Sequence, residues 1–349
     1  MEIISINGRE IGVGAPCFII AEAGVNHNGD PETARKLIDA AVESGADAVK
    51  FQTFKAEKVV TVHAPKANYQ LQATLKDETQ LEMLRKLELP LDVYRELKDY
   101  CQARNVLFLS TPFDKDSVNF LDELGVSLFK VGSGEITNFP LLRHIAEKRK
   151  PVILSTGMSS LVEVGQAVQQ IQMVGNEQIV LLHCVSNYPT DPKDSNLKAM
   201  ETMRSAFKLP VGFSDHTLGI EVALAAVALG ACVIEKHFTL DRTMNGPDHK
   251  ASLESKDLKT LVHGIRVVES ALGHGFKIPA ESEANTLAIA RRSLIASMDI
   301  ESGTKLTSGH IDIKRPGTGL PPWMKPYLVG LTANVDISAG TILSMEMFS

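Results

Sequence analysis

The chain has 349 residues, 44% of them apolar and 22% charged, with a formal net charge of −6. That length holds a barrel of roughly 200–250 residues plus a small extra domain, and the acidic balance offers no basic surface to a phosphate backbone, so no nucleic-acid partner is expected. No apolar run reaches the roughly 18 residues of a membrane helix. The first apolar stretch, 17–25, contains Glu22 and follows neither a basic region nor a cleavage pattern, so no membrane partner and a cytoplasmic location are expected.

In chain order, short apolar or β-branched runs at 18–24, 48–53, 107–112, 128–133, 151–157, 179–184, 210–216 and 232–238 read as strands. Amphipathic stretches at 31–44, 92–104, 116–124, 160–173, 218–229 and 255–271 read as helices. Strict alternation predicts parallel strands with crossover helices, and eight strands close into a (β/α)8 TIM barrel. An open doubly wound sheet is the alternative, disfavoured as a dinucleotide fold because no GxGxxG follows the first strand. Residues 54–77 carry Lys, Pro and Tyr without an apolar period. A connection of that length is either a lid over the strand ends or a surface insertion.

The pattern changes near Gly273, Gly275 and Pro279. The expected division is a barrel at 1–275, a linker at 276–290 and a small, mostly β domain at 291–349. Within that tail 296–311 (ASMDIESGTKLTSGHI) is echoed by 333–348 (ANVDISAGTILSMEMF), which predicts two pseudo-symmetric halves. Cys17, Cys101, Cys184 and Cys232 lie far apart, three of them inside strand-like runs, as expected of buried reduced thiols.

Chemistry in such a barrel gathers at the C-terminal strand ends. Side chains two apart share a face, which puts Lys50 in phase with Gln52, Ser214 with His216, and Glu235 with His237, while Glu22 follows Phe18 and Ile20. A lysine facing a closed barrel is costly unless an anion meets it. Lys50 and Lys130, with the hydroxyls of Thr111, Ser133 and Ser155 beside them, point to an anionic ligand such as a phosphate. The glycine turns after the strands offer backbone N–H groups to the same ligand, or serve only as hinges. His216 and His237 end neighbouring strands and could hold one divalent metal. Hydrogen-bonded structural histidines or an acid/base pair are the other readings, and His27, His183 and His249 also lie near the mouth. Glu22, across the closing seam, is a metal ligand or a general base.

Together these residues resemble the sialic acid synthase family, including relatives that make legionaminic and pseudaminic acids. The matching stretches, in family order, are AEAGVNHNG (21–29), AVKFQTFKA (48–56), STPFD (110–114), KVGSGEITN (130–138), LSTGM (154–158), LLHCVSNYPT (181–190), GFSDHT (212–217), EKHFT (235–239), GPDH (246–249) and KRPGTG (314–319). The resemblance implies condensation of phosphoenolpyruvate with an N-acetylated amino sugar and water to give a nine-carbon 2-keto acid and phosphate. N-acetylmannosamine is the first expected sugar, giving N-acetylneuraminate. The alternative is 2,4-diacetamido-2,4,6-trideoxymannose, giving N,N'-diacetyllegionaminate. More distant readings are a metal-dependent aldolase and a non-catalytic carbohydrate- or ice-binding protein.

The resemblance further implies Mn2+, or another divalent ion such as Mg2+ or Co2+, on His216 and His237, with Glu22 as the base. It assigns Lys50, Thr111, Lys130, Ser133, Ser155, Ser186, Tyr188 and Ser214 to phosphoenolpyruvate, and Gln52, Glu235 and Asp248 to the sugar or its surroundings. Arg315 would reach the sugar's N-acetyl group from the partner subunit of a domain-swapped homodimer, and the tail resembles the family's antifreeze-like SAF domain. One departure stands out: the family often has Asn two residues before the tyrosine of the sixth-strand motif, where this chain has Ser186 followed by Asn187.

Overall fold

Strict alternation of strand and helix along the chain becomes a ring in the computed structural model, which describes residues 3–74 and 77–349. Its parallel strands are β1 (Phe18–Gly24), β2 (Ala48–Thr53), β3 (Leu107–Pro112), β4 (Phe129–Val131), β5 (Val152–Ser155), β6 (Ile179–Cys184), β7 (Val211–Asp215) and β8 (Val233–Thr239). The ladder runs β3-β2-β1-β8-β7-β6-β5-β4. Pairing of β8 with β1, from Val233 opposite Phe18 to His237 opposite Glu22, joins the last strand to the first. β3 and β4, the ends of the ladder, lie side by side, so the sheet is a near-closed eight-stranded barrel.

The main crossover helices are α1 (Pro31–Ser44), α2 (Leu91–Ala103), α3 (Lys115–Leu124), α4 (Phe139–Ala146), α5 (Leu161–Gln172), α6 (Ala199–Phe207), α7 (Glu221–Ala228) and α8 (Ser255–Leu272). Local chemistry sets several of their ends. The Asp30 and Asp114 side chains accept backbone N–H groups at the starts of α1 and α3, and Ser160 with Glu163 forms a capping box on α5. Helices α4 and α6 fall outside the stretches predicted from sequence. At eight and nine residues they are too short to show a clear apolar period.

Alternation along the strands divides the core in two. Ile19, Ala21, Val49, Phe51, Phe108 and Phe129 face the helices, while Phe18, Ile20, Ala48, Leu109, Ile153, Val180 and Leu182 fill the barrel. Gly212 faces inward on β7, where a Cβ would stand 2.5 Å from the Val233 carbonyl oxygen, so no side chain fits there. Strands Ile4–Ile6 and Arg9–Ile11 form an N-terminal hairpin whose Ile4, Ile6 and Ile11 join the inner cluster and plug the floor of the barrel. Its two-residue turn, Asn7-Gly8, has both φ values positive, 49° and 79°, as this turn type requires.

The chain divides into two compact units, Met1–Gly273 and His274–Ser349. The stretch 276–290, expected as a linker, contains the helix Ala284–Ala290. In the second unit Ser293–Ala296 pairs antiparallel with Ile311–Lys314 around a core that includes Leu294, Ile300, Leu306, Ile337 and Leu343. The sequence echo is a structural one. Ile300 and Ile337 exchange both backbone hydrogen bonds at 2.8 Å. Gly303 N donates to Ala333 O at 2.7 Å, and its counterpart Gly340 N to Ala296 O at 2.8 Å. Asp336 and Asp299 accept from Ser302 N and Ala339 N in the same mirrored way. Equivalent positions contact each other across a local two-fold axis.

Among the described residues all four cysteines are free and buried, and no helix is long and apolar enough to cross a membrane.

Candidate active site

The inward-facing positions change from apolar to ionisable at the C-terminal strand ends. Glu22, Lys50, Lys130 and Glu235, each under 5% exposed, meet in one layer above the barrel core. Lys50 Nζ lies 2.7 Å from Glu22 and 3.6 Å from Glu235, and Lys130 Nζ lies 3.3 Å from Glu235. Hydroxyls complete the ring: Lys50 donates to Thr111 Oγ1 at 3.1 Å, Lys130 to Ser155 Oγ at 2.8 Å, and Ser214 to Glu235 at 2.9 Å. Two cations and two carboxylates offset each other's burial cost, which would otherwise be several kcal/mol per ion.

The two carboxyls are driven apart electrostatically. Burial pushes Glu22 up to about 7 against the pull of Lys50, with Glu235 adding to the rise. Glu235 is equally buried, but Lys130 and Lys50 outweigh that and hold it down to about 2. Glu235 therefore stays a fixed charge, while Glu22 can take up and release a proton near neutrality.

His216 and His237 stand on the adjacent ends of β7 and β8, ring centroids 5.4 Å apart, with Tyr188 4.2 Å from the first and edge-on to the second at 5.6 Å. Burial lowers His216 to about 4, and burial together with His216 and Lys50 holds His237 well below the usual imidazole range. Both rings are neutral at physiological pH. His216 Nδ1 lies 2.8 Å from the Val185 carbonyl oxygen, which can only accept, so Nδ1 carries the hydrogen and Nε2 keeps its lone pair. His237 Nδ1 is buried without a hydrogen-bond partner, with Asp248 Oδ2 3.9 Å away. Two neutral imidazoles with free nitrogens suit a divalent ion. Among the described residues no three His, Cys, Asp or Glu groups form a metal cluster, so water and substrate would supply the remaining ligands.

The other three mouth histidines are placed differently. His183 bonds the Ser195 carbonyl at 2.7 Å, His249 bonds Thr239 at 2.7 Å and Asn28 at 3.2 Å, and His27 Nδ1 accepts from Gly29 N at 3.0 Å. None of them lines the cavity.

Behind the histidines, Lys236 points outward between Glu235 and His237. Its Nζ donates to Asp215 at 2.7 Å and to the Thr217 carbonyl at 2.6 Å, while Asp215 accepts from Thr217 N at 2.9 Å. Breaking a buried pair of this kind costs about 3–5 kcal/mol. The pair fixes the backbone on both sides of His216 and beside His237.

The charged layer, His216 and His237 open into one cavity of about 390 Å3, within the range of small-molecule sites. It is lined by every residue expected from the sequence in the first unit: Glu22, Lys50, Gln52, Thr111, Lys130, Ser133, Ser155, Ser186, Tyr188, Ser214, His216, Glu235, His237 and Asp248. Ser186 and Ser133 close around Gly157, where a Cβ would collide with both hydroxyls. Asn187 is exposed and donates to the Pro189 carbonyl at 3.1 Å, so it does not replace the family's asparagine in the cavity. Arg315 lies in the second unit, its Nε donating to the Ala290 carbonyl at 3.0 Å.

The wall also includes residues that the sequence reading did not name. The connection after β2 folds into the helices Ala56–Val59 and Asn68–Ala73, followed by Gln80–Leu87. From it Tyr69, Gln70, Met83, Leu84 and Leu87 reach the cavity, and Tyr69 packs on Tyr188 with ring centroids 5.0 Å apart.

An eight-stranded α/β barrel with an anion-matching lysine pair, a proton-exchanging carboxyl and two neutral imidazoles at its mouth defines a barrel enzyme for a small anionic substrate. The NeuB family profile matches residues 37–277, and the SAF domain profile matches residues 291–349. The chain is 53% identical over 305 residues to the N,N'-diacetyllegionaminic acid synthase of Campylobacter jejuni subsp. jejuni serotype O:2, covering 87% of this chain and 91% of that one. It is 48% identical over 346 residues to the N,N'-diacetyllegionaminic acid synthase of Legionella pneumophila subsp. pneumophila, covering 98% and 97%. A crystal structure of N-acetylneuraminic acid (sialic acid) synthetase from Leptospira borgpetersenii serovar Hardjo-bovis, in complex with citrate, superposes with a TM-score of 0.74 at 38% identity, covering 82% of this chain and 95% of that one. The chain belongs to the NeuB family of sialic acid synthases and carries a SAF domain.

Proposed function

We propose that this protein condenses phosphoenolpyruvate with 2,4-diacetamido-2,4,6-trideoxymannose and water, giving N,N'-diacetyllegionaminate and phosphate. The observation that carries the choice of sugar is the ranking of relatives: 53% and 48% identity to two diacetyllegionaminic acid synthases, against 38% to the N-acetylneuraminic acid synthetase. It favours the diacetamido sugar over N-acetylmannosamine, the sugar expected first from the sequence.

The residues divide the work by chemistry. Lys50 with Thr111 and Lys130 with Ser155 offer paired charge and hydroxyl to the phosphate and carboxylate of phosphoenolpyruvate. The ligand's negative charge then repays part of the lysines' burial. His216 and His237 would hold a divalent ion such as Mn2+, which supplies Lewis acidity toward the sugar's aldehyde oxygen. The nucleophilic carbon of phosphoenolpyruvate forms the new carbon–carbon bond to the aldehyde carbon. Glu22 takes a proton from the water that adds to the resulting cationic carbon, a proton is returned to the former aldehyde oxygen, and the tetrahedral product loses phosphate by carbon–oxygen cleavage as its new hydroxyl gives up its proton to become the keto group.

Phosphate release tests this directly. With phosphoenolpyruvate, Mn2+ and each sugar in turn, release is expected at least about tenfold more efficiently with the diacetamido sugar and to stop on chelation. Faster release with N-acetylmannosamine would reverse the choice of sugar. Condensation of the same sugar with pyruvate in place of phosphoenolpyruvate would instead indicate an aldolase.

The same reading gives Arg315 of the partner subunit to the sugar's N-acetyl group, within a homodimer. Mixing Glu22→Gln chains with Arg315→Ala chains is then expected to restore turnover that neither has alone, because a hybrid dimer contains one intact site. No complementation would assign Arg315 to its own chain's barrel or to no site.

A further inference from the structure

Part of the cavity lining is apolar. Val25, Phe54, Met83 and Leu87 form a small buried cluster separate from both barrel cores, and Leu84 and Phe113 pack against it half-buried. Met83, Leu84 and Leu87 share one face of the helix Gln80–Leu87, whose start is fixed by the Thr79 and Glu82 capping box. Phe113 follows β3 and meets Phe54 edge-on at 6.1 Å. Val25, Met83, Leu84, Leu87 and Phe113 all line the cavity. This apolar side stands over the ends of β1 and β3, while the histidines stand on β7 and β8.

Such a wall discriminates between substituents that differ little in size. A sugar hydroxyl held against it loses its water and gains no hydrogen-bond partner, whereas a methyl group loses nothing and buries apolar area. Packing of the helix alone accounts for Met83 and Leu87, which are 3% and 6% exposed. It does not account for Leu84, which keeps an accessible face toward the cavity.

We infer that the wall formed by Leu84 and Phe113 is a specificity element that selects a sugar carrying methyl groups, as a 6-deoxy carbon and a second acetamido group, where a simple N-acetylhexosamine carries hydroxyls. This rests on the diacetamido reading above and assigns it to particular residues. Leu84 and Phe113 take no part in the proton and phosphate chemistry; they set which sugar gains binding energy on the way to the transition state.

The test compares kcat/KM for 2,4-diacetamido-2,4,6-trideoxymannose and N-acetylmannosamine at saturating phosphoenolpyruvate. Three variants are used: Leu84→Gln, Leu84→Met and Phe113→Tyr. Leu84→Gln is expected to reduce the preference for the diacetamido sugar by about tenfold or more, and Leu84→Met to keep it within about threefold. Phe113→Tyr adds one hydroxyl to the same wall at nearly constant volume and should shift the preference in the same direction as Leu84→Gln. The KM for phosphoenolpyruvate should stay put in all three. If Leu84→Gln and Phe113→Tyr slow both sugars alike, or leave the ratio unchanged, the wall is only a support for the helix and the inference fails while the reaction stands. A wild-type preference for N-acetylmannosamine would overturn the reading underneath it.

Discussion

Replacing Glu22 with glutamine is expected to lower kcat by about 10²–10⁴-fold, the usual contribution of a positioned acid or base, while phosphoenolpyruvate still binds. The substitution keeps volume and shape but removes a carboxyl in the cavity that burial has moved to about 7. Lys50 loses its 2.7 Å partner yet retains Thr111 at 3.1 Å and Glu235 at 3.6 Å, so the ring of charges should hold. One anionic contact removed from beside a lysine that receives an anion should leave the KM for phosphoenolpyruvate unchanged or slightly lower. Lys50→Met is the contrasting variant: it should raise that KM sharply, because the charge that meets the ligand is gone. Steady-state phosphate release separates the two. A Glu22→Gln enzyme within about threefold of wild type would remove Glu22 from the chemistry.

The barrel was legible because strand and helix leave different periods in the sequence. Phe18, Ile20 and Glu22 show how one strand face passes from apolar to ionisable at its C-terminal end, and that rule alone brings Lys50, Lys130, Glu235 and His237 to a common mouth. Other features were present in the sequence but went unread. Asn7-Gly8 is a hairpin signal in its own right, yet the hairpin strands are three residues each and carry almost no pattern. Residues 83–87 illustrate a different gap. Their spacing announces an apolar helix face, but nothing in the spacing says that this face meets a cavity as well as a core. Ser186 and Asn187 differ for the same reason: which of two adjacent polar residues points inward depends on how the loop after β6 turns, which neighbouring chain segments decide.

His237→Ala should abolish metal-dependent turnover in a protein that still folds. The expected loss is about 10³-fold or more, since Lewis-acid activation is worth several kcal/mol and each 1.36 kcal/mol is a factor of ten in rate. The alternative is a structural histidine, and the bonding of its neighbours makes the distinction. His183 and His249, which serve structure, have ring nitrogens satisfied by Ser195, Thr239 and Asn28. His237 leaves Nδ1 buried and unpaired, in a ring whose centroid lies 5.4 Å from that of His216, and an unpaired buried nitrogen costs about 1–3 kcal/mol. An ion on Nδ1 would remove that cost, and the ring, held neutral by its surroundings, has the lone pair to bind one. Mn2+ titration followed by electron paramagnetic resonance reads the outcome without turnover. His237→Ala should bind the ion at least about 100-fold more weakly, a loss at or above the top of the range for disturbing even an outer partner of a ligand, whereas His249→Ala should bind it as wild type does. Equal affinity in wild type and His237→Ala would mean that the ion, if the reaction needs one, is held elsewhere.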